Sequence, residues 1–284
     1  LQAHESYVGP ANSISIVTDN NTVRVHDGVT PGGFSPADLA PAPDDGAFYA
    51  MKNGNWVPVS VNEIPKDGPG PNLIESGDST LGYYGLVQPD EFISEVDLSD
   101  TFGLTNEGIA LGDSPWMKFV KNDRVLFIPT KPLRQAIDWQ TLYLKGLVYG
   151  TNDNGIHPSG TPTKQLKTIR RFGYTYKVRL MTGANADPTD AAFDSNNPVG
   201  TDQSEWNELV EKVHIGDGTW ATLSDADLSV GSTATVNSTL CQEAPSSDNT
   251  LRIVRGQQEY RHLTTAGVTA SNSFLGWRPV LELL

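Results

Sequence analysis

The sequence predicts a mainly β fold with few short helices: a β-hairpin stem in the first sixty or so residues, then an α+β domain. Three observations carry this expectation. Short runs of alternating apolar and polar residues recur along the chain, as half-buried strands require. Glycine and proline, 27 and 19, make up 46 of 284 residues and interrupt those runs every few positions. Only two segments show helical spacing of their apolar residues.

The first strand pair is read from Ile14 and Ile16, the polar turn at 19–22, then Val23 and Val25, closed by Gly28, Gly32 and Gly33. A second pair runs from Phe48 to Met51, turns at 52–55, and continues from Trp56 to Val61. Isolated two-stranded hairpins are marginal in water, so these are expected to need other copies of the chain. Ile14, Ile16, Val23, Val25 and Trp56 would then be buried between copies, and a homotrimer with an intertwined or prism-like stem over 1–64 is expected. Residues 65–71, PKDGPGP, read as a linker. The display domain is expected over 72–284.

Within that domain, 116–120 and 125–128 form one predicted hairpin, and 168–171 and 174–180 another. Asp202 and Glu205 resemble a capping box, and Trp206, Leu209, Val210 and Val213 form one apolar stripe, which predicts a helix of about three turns. This stripe is expected to pack on Trp277, Val280 and Leu281, with Arg278 buried in a hydrogen-bonded role. A second helix is expected over 138–148, with Asp138 as N-cap and Gly146 near its end. Residues 183–200 and 224–247 read as long loops, the latter poor in strands.

Composition excludes several classes of partner and chemistry. Lys+Arg 20 against Asp+Glu 34 gives a net charge of −14, which argues against nucleic acid or anionic membrane as partners. No stretch approaches the ~18 apolar residues of a membrane-spanning helix. The chain opens on Leu1 rather than Met, and reads as processed or as part of something longer. With Cys241 as the one cysteine there is no internal disulfide or cysteine-rich metal site, and Cys241, without a basic neighbour in sequence, reads as a small core residue.

The histidines His4, His26, His157, His214 and His262 show no metal-ligand spacing, Ser159 lies in HPSG rather than a nucleophile elbow, and no phosphate-binding glycine loop is present. Asp153, Asp217, Asp225 and Asp227 lack the period of a calcium loop and read as turn residues. QPD at 88–90 matches a calcium-lectin tripeptide without its partner motif, and the sequons at Asn20 and Asn237 imply nothing without secretion. No enzyme activity, metal or cofactor is expected.

Several segments resemble bacteriophage fibre proteins. TVRVHDGVTPGG at 22–33 looks like the short repeat that opens many tail-fibre and tropism-determinant proteins, and PDDGAFYAMKNGNWV at 43–57 is similar to another fibre repeat. DSPWMKF at 113–119, KPLR at 131–134 followed by Asp138 and Trp139, YKVRL at 176–180, SEWNEL at 204–209 and GWRPVLEL at 276–283 resemble the C-terminal domain of phage virion structural or tail proteins. The ending is also similar to that of the C-type-lectin-like and formylglycine-generating-enzyme-like fold, which phage tropism determinants use for display. The enzymes of that fold need a cysteine pair or metal ligands, so their activity does not carry over.

The resemblance implies a virion protein, on the tail or the capsid surface, that binds a receptor on the host. The alternative expectation is a capsid decoration or fibre-base protein contacting other virion proteins. A polysaccharide depolymerase would instead require a carboxylate pair in a groove. By the same resemblance, the receptor site is expected between Gly256 and Gly276, on Gln257, Gln258, Tyr260, Arg261, His262, Asn272 and Phe274, a polar and aromatic set suited to adaptable binding.

Overall fold

The computed structural model describes residues 7–11, 13–17, 22–26, 28–33, 48–52, 55–59, 68–157, 161–191 and 198–284. The chain divides into two compact units, residues 1–64 and 65–284. It is mainly β with few short helices.

In the first unit Ser13–Val17 pairs antiparallel with Thr22–His26, and Phe48–Lys52 with Asn55–Val59, each pair a two-stranded sheet. The first hairpin is fastened at its open end. His26 is buried there, with Gly9 N–H donating to its Nδ1 at 3.3 Å and Tyr7 edge-on at 5.3 Å. A Cβ on Gly9 would come within 2.5 Å of that imidazole, so the ring's seat requires a glycine. Ile14 is 69% exposed. The side chains of Ile16, Val23 and Trp56 lie outside the described residues.

The second unit holds two larger sheets. The seven-stranded one runs, in spatial order, Lys167–Arg171, Tyr174–Arg179, Val280–Leu283, Arg124–Pro129, Trp116–Lys121, Leu81–Val87 and Ser76–Gly77, with every neighbouring pair antiparallel. The six-stranded one runs Leu263–Gly267, Leu251–Arg255, Ser238–Leu240, Leu275–Trp277, Arg134–Gln135 and Ile109–Ala110, with one parallel contact, between 238–240 and 275–277. Strand alternation sends Trp116, Val125, Phe127, Tyr176, Val178 and Leu281 into one core, and Met117, Phe119, Leu126, Ile128 and Val280 into another. The central strands are therefore apolar on both faces, and their sequences read as near-continuous apolar runs.

The helix over Trp139–Leu144 has the expected cap, with Asp138 Oδ1 accepting from Thr141 N–H at 2.7 Å, but it is shorter than 138–148. The chain turns away at Gly146, φ +78°. The stripe Trp206, Leu209, Val210 and Val213 is wholly buried, its first three residues on a π-helical turn at Trp206–Glu211 and Val213 just after it. Its cap is Ser204, whose Oγ accepts from Asn207 N–H at 3.2 Å, rather than Asp202. Glu205 is instead drawn off to an ion pair.

The expected packing of this stripe on the C-terminal strand holds for Val280 alone. Trp277 and Leu281 belong to the other core, because the chain leaves the six-stranded sheet at Trp277 and enters the seven-stranded one at Val280, facing the two cores alternately. Arg278 is fully buried, donates from Nη2 to Leu228 O, and lies 5.6 Å over the Trp206 ring. Burial lowers its pKa to about 9.

Two regions are more ordered than their sequence suggests. Glu95–Phe102 is a helix, started by a reciprocal Ser94 and Asp97 capping box and stopped by Gly103 at φ +65°. Residues 224–247, expected as a loop, contain a helix at Asp225–Leu228 with a Ser224 and Asp227 capping box, and a strand at Ser238–Leu240. In both, serine and aspartate satisfy helix-end N–H groups, the same chemistry that makes them common in loops.

The end of the expected linker is docked. Gly68 is buried, and Lys118, buried on the seven-stranded sheet, donates from Nζ to Pro71 O at 2.7 Å and to Gly68 O at 3.3 Å. Residues 68–71 thus belong to the second unit as packed structure. Lys118→Met leaves these carbonyls without their donor, at ~1–3 kcal/mol. Proteolysis within 65–72 is expected to speed up while the rest of the domain stays resistant; unchanged cleavage there would contradict the docking.

Candidate functional site

The floor of a polar cleft on the seven-stranded sheet follows directly from strand register. On neighbouring strands Lys121 lies opposite Arg124, Lys177 opposite Glu282, and Thr168 opposite Lys177. Alternation places these polar residues on the face that carries Phe119, Leu126 and Val280, in two adjacent registers with Glu282 opposite Leu126, where the second core ends. Asn122, Asn185, Gln203, Gln242 and Tyr149 rise around it, enclosing about 700 Å³.

Beneath the cleft, Arg179 is held between two carboxylates. Its Nη1 and Nη2 donate to Glu205 at 2.7 and 2.6 Å, and Nε and Nη2 donate to Glu282 Oε2 at 3.2 and 3.0 Å. Burial alone would raise both carboxyl pKa values. The guanidinium outweighs it, and Glu205 and Glu282 both sit below the ordinary carboxylate range. Lys121 pairs with Glu208 at 2.5 Å and donates to Gln203 O at 2.8 Å.

Charge is not balanced here. Glu282 is approached by three cations, Lys177 at 2.9 Å, Arg179 at 3.0 Å and Arg124 at 3.7 Å. Arg124 keeps 43% of its side chain exposed. Arg170 stands on the same face at the sheet's edge, exposed and without an ion pair among the described residues. In a chain of net charge −14 this is a local inversion of sign.

The residues expected to form a receptor site are not brought together. Loop 256–262 joins strands 251–255 and 263–267 at one end, and loop 268–274 leaves from the other, five residues or ~17 Å away. Tyr260 stacks on His214 with centroids 3.9 Å apart, and its carbonyl accepts from Trp206 Nε1 at 2.7 Å. Arg261 donates to Asp217 at 2.9 Å, and His262 is buried, its pKa lowered by burial and by Arg255. Gln257 O accepts from Asn237 Nδ2 at 2.8 Å, while the Gln258 side chain is exposed. At the far end Asn272 is exposed and Phe274 packs against the first core. Tyr260 and His262 thus serve the interior, and Gln258 and Asn272 remain as separate exposed positions.

Two of the cleft residues had a sequence signal of their own. Lys177 and Arg179 stand in a stretch, 164–179, that gathers six of the 20 basic residues without one acid, though the other four do not line the cleft. Cys241 is buried and its thiol pKa is pushed up by burial, in keeping with a core residue. Among the described residues no group of three or more His, Cys, Asp or Glu is arranged to hold a metal ion, and no helix is long and apolar enough to cross a membrane.

No family model matches the chain, and no solved structure matches it. An alignment of 150 residues, covering 45% of the chain, is 26% identical to Semaphorin-1A of Tribolium confusum. The chain spans about a fifth of that protein's length, 20%. This is a local likeness in sequence, below what would place the chain in a family.

Proposed function

We propose that the chain is a bacteriophage virion protein in which residues 1–64 form an oligomerising stem, as a homotrimer, and residues 65–284 form a display domain that binds a molecule on the host surface. The observation that carries the binding role is the cleft itself. Its two most buried carboxyls share Arg179 and are held ionised, which suits neither to donate a proton, while guanidinium, ammonium and amide groups around them face an open cavity. Such a site is equipped to bind rather than to turn over a substrate. The stem reading is supported by two-stranded sheets too small to stand alone, one of them presenting Ile14 to its surroundings. The resemblance of 22–33 and 43–57 to fibre repeats is what supports a virion setting.

Two measurements test this. The purified full chain is expected to sediment as a trimer, and a stable folded monomer would overturn the stem. It is also expected to bind host cells and to block virus adsorption. If it binds purified capsids or tails and leaves adsorption untouched, its role is as a decoration or fibre-base protein contacting other virion proteins.

A further inference from the structure

We infer that the cleft on the seven-stranded sheet takes an acidic saccharide, a chain of sugars bearing carboxylates, with Arg124 and Lys177 receiving one carboxylate, the surrounding amides receiving hydroxyls, and Arg170, on the same face at the sheet edge beyond the lining, receiving the carboxylate of a further sugar. This deepens the host-binding reading and relies on it only for the identity of the surface on which such a sugar occurs. Three features of the cleft converge on the ligand.

The first is the excess of cations over a shared carboxylate. With Arg179 also paired to Glu205, Glu282 is left to face both Lys177 and Arg124, and Arg124, at 3.7 Å, is the most loosely held of the three cations around it. Its planar fork of donors matches a carboxylate bidentately, and its exposed part faces the opening. Arg170, on the same face of the edge strand but outside the lining, adds a further cation beyond the cleft.

The second is the neutral lining. Asn122, Asn185, Gln203 and Gln242 each offer a donor and an acceptor on one planar group, which suits vicinal hydroxyls that also donate and accept. Gln242 already donates to Leu180 O at 2.6 Å, which fixes its side chain. A purely anionic ligand without hydroxyls would leave these amides unused. A neutral sugar would leave the cations unused.

The third is the stiffness and size of the floor. Every charged side chain there stands on a strand or on the ion-paired segment that begins at Glu205, so the donors are held in place before a ligand arrives. About 700 Å³ lies within the range of small-ligand pockets.

The test uses the purified full chain and tri-galacturonate, with maltotriose and glycerol phosphate as the neutral and the hydroxyl-poor anionic arms, measured by titration calorimetry. Tri-galacturonate is expected to bind, more weakly as salt rises, and at least tenfold more tightly than either other probe. Arg124→Glu with Arg170→Glu should weaken it at least tenfold. Lys167→Glu with Arg171→Glu makes the same charge change at exposed positions on the opposite side of the edge strand and should change it less than twofold. Equal losses in the two double variants would reduce the effect to the general field of the ribbon and overturn the assignment. So would equal affinity for maltotriose, equal affinity for glycerol phosphate, or no binding of tri-galacturonate. If R124E/R170E still binds host cells and blocks adsorption like the parent chain, the host-binding role stands and the cleft is not its site. Loss of cell binding in the parent chain itself would remove the host-binding role instead.

Discussion

Replacing Arg179 with methionine is expected to lower the stability of residues 65–284 by ~3–5 kcal/mol, the cost of leaving buried charge without its partner. Arg179 is 4% exposed, and its guanidinium is the partner of both Glu205 and Glu282, themselves 3% and 6% exposed. Methionine fills much of the same volume, so the loss isolates charge rather than packing. Adding Glu205→Gln and Glu282→Gln to Arg179→Met removes the stranded charges and should recover most of the stability. Urea unfolding of the three proteins, read as a shift in midpoint at constant slope, checks both halves. A single variant within 1 kcal/mol of the parent would show that water reaches the network and screens it.

Stability is also expected to fall as pH rises from about 5 to 8, with Glu243 as a main cause. This carboxyl is buried at 2% exposure, and burial raises its pKa from the ordinary 4.5 to about 8, helped by Asp187 and Glu205 and opposed by the Gly183 N–H that donates to it at 3.0 Å. Between those two values the folded chain keeps the proton and the unfolded chain has lost it. Deprotonation therefore favours unfolding, by up to ~1.4 kcal/mol per pH unit across the window, and the effect levels off above about 8. Glu243→Gln stays neutral at every pH and should stabilise the protein most at pH 8 and least near pH 5. Parallel pH profiles for Glu243→Gln and the parent would assign the slope to other groups. Arg252 and Arg255 face the same carboxyl, so a proton retained there also removes an attraction they would otherwise have.

These two effects arise at neighbouring places for a structural reason. The bridge between Met181 and Cys241 brings the end of strand 174–179 beside the end of strand 238–240, and Arg179, Glu205 and Glu243 all meet there. Sixty or more residues separate Arg179 from Glu243 in the chain. One carboxyl has a guanidinium and stays ionised, while the other lacks one within hydrogen-bonding reach and keeps its proton.

The class of fold and many of its local elements were legible before any tertiary contact was known. The hairpins at 13–26, 48–59, 116–129 and 167–179 were legible because alternation and turn residues act over a few positions, and pairing across a short turn needs no knowledge of the rest of the chain. The Asp138 cap and the buried stripe at Trp206, Leu209, Val210 and Val213 were legible for the same local reason. The helices at Glu95–Phe102 and Asp225–Leu228 were not, since their capping serines and aspartates look like loop residues until the cap is formed.

Where charge is gathered and buried followed from tertiary packing. Lys121, Lys177, Arg179, Glu205 and Glu282 appear in the sequence as ordinary surface charges, as does Arg124, which stays exposed beside them. Antiparallel pairing of distant strands sets Lys121, Arg124, Lys177, Arg179 and Glu282 on one face and draws Glu205 beneath it. Register likewise separated Tyr260 from Phe274, which the family resemblance had put in one site, and Trp277 from Val280, which the apolar closing strand had suggested would face one core. A strand's faces and ends are fixed by the partners it pairs with, and those partners are chosen by the whole core rather than by the segment itself.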